Sequence, residues 1–191
     1  MPLLDDLALA SAATGDLLDR VEPGQWTTPT PCDEWTVRDL AGHLVGMDLV
    51  LTAMFSDAPP PGRDVDHLGA DPAAAFRRSS AALRGAASLP EVLERVQTTP
   101  VGTTTGAERL RWRIADLLAH SWDLAQATGV PADVPDDLAE RSLSFTRAQL
   151  PSQRRGGRFA EPRPVAPGAS PLDRLAAFTG RTVPWPGTPS A

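Results

Sequence analysis

Proline decides what this chain can become. Its 20 prolines gather in clusters such as "PGQWTTPTPC", "SDAPPPGRD" and "PVAPGASP". A proline inside a helix removes a backbone hydrogen bond and clashes with the preceding turn, so each cluster ends whatever helix reaches it. Between the clusters, leucine and alanine recur at three- and four-residue spacing, the mark of one-sided helices. A first helix is expected over Leu4 to Val21, closed by Pro23 and Gly24. A second starts at Thr36, where Asp39 completes an acidic capping box, and runs to Phe55. A third, "DPAAAFRRSSAALRGAASL", has Asp71 as cap and Pro72 in first position, with Pro90 interrupting it before "EVLERVQ". The stretch "TTPVGTTTG" reads as a turn. A fourth helix spans Ala107 to Thr128 and stops at Gly129 and Pro131. "PDDLAERSLSFTRAQL" gives a fifth and "PLDRLAAFTG" a short last one. No strand alternation and no internal repeat stands out. The expected fold class is all-α, a bundle of four long helices with a short C-terminal helical and extended elaboration. Residues 1–150 would form the bundle domain, and residues 151–191 a C-terminal extension packed on it after the linker "PSQRRGGRFAEPRPVAPGAS".

Charge narrows the function. A net charge of −6 gives no basic surface to displace counterions from phosphates, so a nucleic-acid partner is not expected. All 18 basic residues are arginine, which reads as a compositional bias rather than a device. No stretch approaches the ~20 apolar residues of a membrane span, and the first residues carry acids where a secretion signal carries bases. A single cysteine, Cys32, has no internal partner for a disulfide, which fits a reducing cytoplasm.

Three residues on two helices carry the chemistry. His43 shares a stripe with Leu40, Met47, Val50 and Met54, which the helical repeat places on an inward face. Asp116 and His120, four residues apart, lie on one face of the fourth helix, and Trp112, Asp123 and Ala127 extend that face. Two imidazoles and a carboxylate are a common divalent-metal set that leaves positions open for water or substrate. Each residue also has an ordinary alternative. His43 can be a neutral core histidine, Asp116 can pair with Arg113 or Arg109, and His120 can sit at a wet edge of the bundle. Asp123 is placed to orient His120 or to bond a neighbouring helix end. Cys32, Trp35, Met47 and Trp112 are candidates for the pocket wall. His67, beside Asp64 and Asp66, reads as a solvated loop residue, and Arg154, Arg155 and Arg158 as a solvated linker with an anion site as the alternative.

The stretches "PTPCDEWTVRDLAGHL" and "DLLAHSWDLAQATG" closely resemble actinobacterial proteins of the mycothiol-dependent maleylpyruvate isomerase-like family, in the DinB/YfiT-like metalloenzyme superfamily. The closing "RFAEPRPVAPGASPLDRLAAFTGR" is similar to the tail of an uncharacterised metal-binding branch of that family. The resemblance implies a DinB-like four-helix bundle with a divalent metal, zinc or nickel, near one end. His43, Asp116 and His120 would be its ligands. The characterised isomerase has a glutamate in place of Asp116, so direct and water-mediated coordination both stay open. The resemblance further implies a low-molecular-weight thiol, mycothiol or bacillithiol, and a small electrophilic substrate. The activity would be that of a thiol-dependent isomerase or transferase, with a non-catalytic metal- or small-ligand-binding bundle as the alternative. The isomerase's sterol-carrier-like C-terminal domain has no expected counterpart here. A homodimer through an apolar face is left open.

Overall fold

The computed structural model describes residues 2–32, 34–62, 65–99, 102–150 and 159–188. The described residues form six α-helices: α1 (Pro2–Asp19), α2 (Val37–Phe55), α3 (Pro72–Ala87), α4 (Gly106–Thr128), α5 (Asp136–Gln149) and α6 (Pro171–Phe178). Helices α1 to α4 form the bundle, with α1 and α2 each packed on both α3 and α4, while α5 and α6 pack on each other and on α4. Leu7, Leu17, Leu40, Leu44, Phe55, Phe76, Leu83, Leu117 and Leu118 fill the core, each at most 1% exposed. Thr14 and Ser121 add a buried 2.9 Å hydroxyl bond between α1 and α4.

The helix starts are built as their sequences demand. On α2, Thr36 Oγ1 accepts the Asp39 amide while the Asp39 carboxylate accepts the Thr36 amide, at 3.2 and 3.0 Å. Thr105 and Glu108 repeat the arrangement on α4. Asp71 caps α3 and Ser170 caps α6. At the far end of α4, Gly129 takes φ 74°, the left-handed position where a side chain is disfavoured. The loop before α2 is fixed by backbone bonds from Thr30 to Trp35, Trp35 to Cys32 and Val37 to Thr28, each near 3.0 Å. That knot of chain holds Cys32 and Trp35 against the end of the bundle.

Three expectations change. "EVLERVQ" is not helical: after Ala87 the chain turns, tucks Val92 (1% exposed) and Leu93 (8%) into the core, and enters a strand at Val96. The Leu93 and Arg95 carbonyls then accept the first amides of α4. A Cβ on Gly106 would meet the Val92 carbonyl oxygen at 2.2 Å, so only glycine allows this approach. "TTPVGTTTG" is more than a turn, because β1 (Val96–Thr99) and β2 (Gly102–Thr105) pair antiparallel with Val96 opposite Thr105. Finally, the His43 stripe is not the inward face of α2. The buried line is Val37, Leu40, Leu44, Asp48, Leu51 and Phe55, while Val50 is 37% exposed and His43, Met47 and Met54 lie at the boundary. Arg154, Arg155, Arg158 and Asp64 lie outside the described residues.

Candidate metal centre

Two helices bring the three expected ligands to one point. His43 Nε2 lies 3.4 Å from Asp116 Oδ1, and His120 Nε2 lies 3.3 Å from the same oxygen. The donor atoms of all three residues fall within 4.8 Å of one another. The imidazole rings meet edge to face at 4.9 Å, and the Trp35 ring flanks them at 4.9 Å from His43 and 6.0 Å from His120.

These spacings fit a shared cation as well as they fit long hydrogen bonds. Nitrogen–oxygen bonds centre near 2.9 Å, so contacts of 3.3 and 3.4 Å are long for donors aimed at one acceptor. Ligands held ~2.1 Å from an ion in tetrahedral arrangement stand about 3.4 Å apart. The donor set, two neutral imidazoles and one carboxylate, fits a divalent ion of the zinc or nickel type. A mutual separation under 4.8 Å needs little rearrangement to enclose one.

Behind two of the three candidate ligands stands a group that aims the side chain. Asp123 Oδ2 holds His120 Nδ1 at 2.9 Å, which turns Nε2 toward Asp116. Asp123 in turn is gripped by Arg181, with Nη2 at 2.7 Å from Oδ2 and Nε at 3.2 Å from Oδ1. Asp116 Oδ2 is held by Arg113 Nη1 at 2.5 Å, which leaves Oδ1 to face the histidines. Arg113 is fully buried and gives its remaining donors to Asp48 Oδ1 and the Leu44 carbonyl, the latter at 2.7 Å. Ser79 completes Asp48 at 3.0 Å. The alternative pairing of Asp116 with Arg113 is thus present together with the ligand cluster, because the two use different carboxylate oxygens. Arg109 does not take part.

Charge follows geometry. Burial alone would raise the Asp116 carboxyl, but the charge and hydrogen bond of His120, joined by His43 and Arg113, hold it well below the usual carboxylate range. Burial would likewise lower the His120 imidazole, but Asp116 and then Asp123 raise it above its ordinary value. For Asp123 the opposing pull of Arg181 and His120 overcomes burial, and the carboxyl is lowered.

The other candidates fall in distinct places. Trp35 lines an open cleft of about 740 Å³ together with Glu34, Arg38, Asp39, His43 and Asp66, so the cluster is reached from this side. Cys32 lies with His120 and Asp123 in a second close group of donors. That group holds the Arg181 guanidinium on Asp123, as the first holds Arg113 on Asp116. Met47 stands half-buried one turn past His43. Trp112 packs on Phe145 at 5.2 Å and Phe159 at 5.7 Å. His67 Nε2 lies 3.0 Å from the Gly62 carbonyl, in its loop. Sequence reasoning missed Asp48 and Arg181. A charged residue in the buried line of α2 was a readable signal for Asp48, whereas Arg181 lies 58 residues from Asp123 with nothing local to mark it.

A family model described as the mycothiol maleylpyruvate isomerase N-terminal domain matches residues 7–125. Similar proteins include the uncharacterised proteins MT0763 and Rv0738 of Mycobacterium tuberculosis. Each is 37% identical over 177 residues, covering 91% of this chain and 94% of the relative. No solved structure matches the chain.

Proposed function

The chain belongs to the family of the mycothiol maleylpyruvate isomerase N-terminal domain, and on that basis we propose a divalent-metal-binding protein that works as a thiol-dependent transferase or isomerase on a small electrophile. The observation that carries the reading is the convergence of His43 Nε2 and His120 Nε2 on one oxygen of Asp116. His43, Asp116 and His120 would hold the ion. Once bound, a divalent ion supplies a Lewis acid that lowers the pKa of a thiol or water beside it.

The chain's own residues do the rest. Asp123 fixes the ring of His120, and Arg113 fixes the plane of the Asp116 carboxylate, so neither ligand must reorder during turnover. Trp35 packs against both imidazoles, with ring centroids 4.9 Å from His43 and 6.0 Å from His120, and so supports one side of the histidine pair at the mouth of the cleft. The cleft beside His43 is wide enough for a small substrate and a low-molecular-weight thiol. Its mixed rim of Arg38, Glu34 and Asp66 offers donors and acceptors for a polar ligand. Relatives named only as uncharacterised give no substrate.

The test is elemental analysis of protein purified without a histidine tag. About one divalent ion per chain is expected, falling to near zero in His43→Ala and Asp116→Ala. Cobalt-substituted protein is expected to change its visible spectrum on addition of mycothiol. Absence of metal from the wild-type protein overturns the ligand assignment. A spectrum indifferent to mycothiol overturns the thiol dependence.

A further inference from the structure

The open cleft that leads to His43 is charged in one direction. Its described walls carry the carboxylates of Glu34, Asp39 and Asp66 against one guanidinium, that of Arg38. A concave surface with such an excess gathers field lines and collects ligands of the opposite sign.

The one guanidinium is already engaged. Arg38 Nη2 donates to Asp66 Oδ2 at 3.3 Å and to the Gly69 carbonyl at 3.1 Å, so an anionic ligand would have to compete with Asp66 for it. Two of the carboxylates are engaged as well. Asp39 accepts the amide and the hydroxyl of Thr36, and Asp66 Oδ1 accepts the amides of Leu68 and Gly69. Glu34 is the exception. It is exposed, and among the described residues no hydrogen bond and no ion pair reaches it. It also stands at φ 67°, a left-handed position that glycine takes without strain and most side chains avoid. The chain nevertheless places a carboxylate there, in the wall of the cleft.

Trp35 follows directly in the chain and lines the same cleft. An indole ring attracts an organic cation through its quadrupole and packs against the hydrocarbon that carries the charge. A free carboxylate beside an indole therefore suits a protonated amine on a small apolar body. The carboxylate accepts the N–H groups and the ring covers the carbon. A bare cation has no body for the ring to cover, and an organic anion of the same size is repelled by the carboxylates.

We propose that this cleft is a binding site for a small organic amine in its ammonium form, with Glu34 as counter-ion and Trp35 as apolar wall. The same charge makes Glu34 a specificity-determining residue that turns away organic anions of similar size. The binding site stands whether or not a metal binds. Only the ligand's role as a substrate rests on the function proposed above, since His43 lines the same cleft and meets Asp116 through Nε2.

The experiment follows the indole N–H signal of Trp35 in proton–nitrogen correlation spectra of metal-free protein, held in chelator at constant ionic strength. The signal is identified by its absence from Trp35→Phe. Three probes of one shape are titrated: benzylammonium, benzyl alcohol and benzoate. Benzylammonium is expected to shift the signal to saturation, with a Kd about fivefold or more below those of the other two. Glu34→Gln is expected to weaken benzylammonium about fivefold and to leave benzyl alcohol unchanged. Glu34→Lys is expected to remove the preference for the cation altogether. Glu34 is exposed, so both variants are expected to fold, as the other tryptophan signals will show. The proposal is overturned by benzylammonium that gives no saturable shift, by benzyl alcohol or benzoate that binds as tightly, or by undiminished affinity for benzylammonium in Glu34→Gln or Glu34→Lys. Failure of the metal assignment shows in the elemental analysis and leaves this titration untouched.

Discussion

At the scale of single residues, the unusual investment is in groups that stand behind the His43, Asp116 and His120 cluster rather than in it. Arg113 satisfies two carboxylates and a carbonyl from a position wholly inside the bundle. Arg113→Leu is expected to destabilise by about 3–5 kcal/mol, because it strands the buried Asp48 charge. Replacing Asp48 with leucine as well should restore a large part of that loss, as read from urea unfolding of both variants. Metal content in the double variant should still fall, since Asp116 loses the group that aims it. Asp123 offers a second test. Asp123→Ala is expected to weaken metal binding about 10–100-fold through the freed His120 ring, measured by competition with a chelating dye. The spacing of Asp116 and His120 marked them as a pair on one helix face, a weak signal by itself, and it was the family resemblance that set them beside His43. His43 was legible as a candidate, but for a partly mistaken reason: it sits at the edge of the buried line of α2, where a ligand can meet both the neighbouring helix and the cleft.

At the scale of elements, caps and prolines set the boundaries. The start of α2 at Thr36 and the stop of α4 at Gly129 were readable because the signals are local. The β1–β2 hairpin was not, since threonines occupy consecutive positions of β2 and erase any alternation between faces. The capping boxes make a pH prediction. Hydrogen bonds from Thr36 lower the Asp39 carboxyl, and the Thr105 amide and Thr104 hydroxyl lower that of Glu108. A folded-state pKa below the unfolded value gives stability that is present above the unfolded pKa and lost as pH falls through the folded one. The stability gap between wild type and the Asp39→Asn, Glu108→Gln variant should therefore be full near neutral pH and shrink below about pH 4. Urea midpoints across that range check it, and a gap that widens on acidification refutes it.

At the scale of the molecule, α5, α6 and the chain around them are wired into the bundle through its most sensitive point. Trp122 Nε1 donates to Asp173 at 2.8 Å, and Arg181 closes on Asp123 immediately behind His120. Arg181→Ala is expected to lower both stability and metal affinity, as seen by unfolding and dye competition, because it leaves Asp123 buried without its cation. None of the described helices is long and apolar enough to cross a membrane. The helical architecture was readable from periodicity. The wiring was not, because pairings between residues 48 and 113, or 123 and 181, leave no trace in local pattern.

The grip of Arg181 on Asp123 has a consequence in time as well as in space. A ribosome delivers the bundle helices well before it delivers residue 181, so the nascent chain spends an interval with all three donors made but Asp123 still lacking its countercharge. Arg181, made after the four bundle helices, then supplies the countercharge that settles Asp123 behind His120.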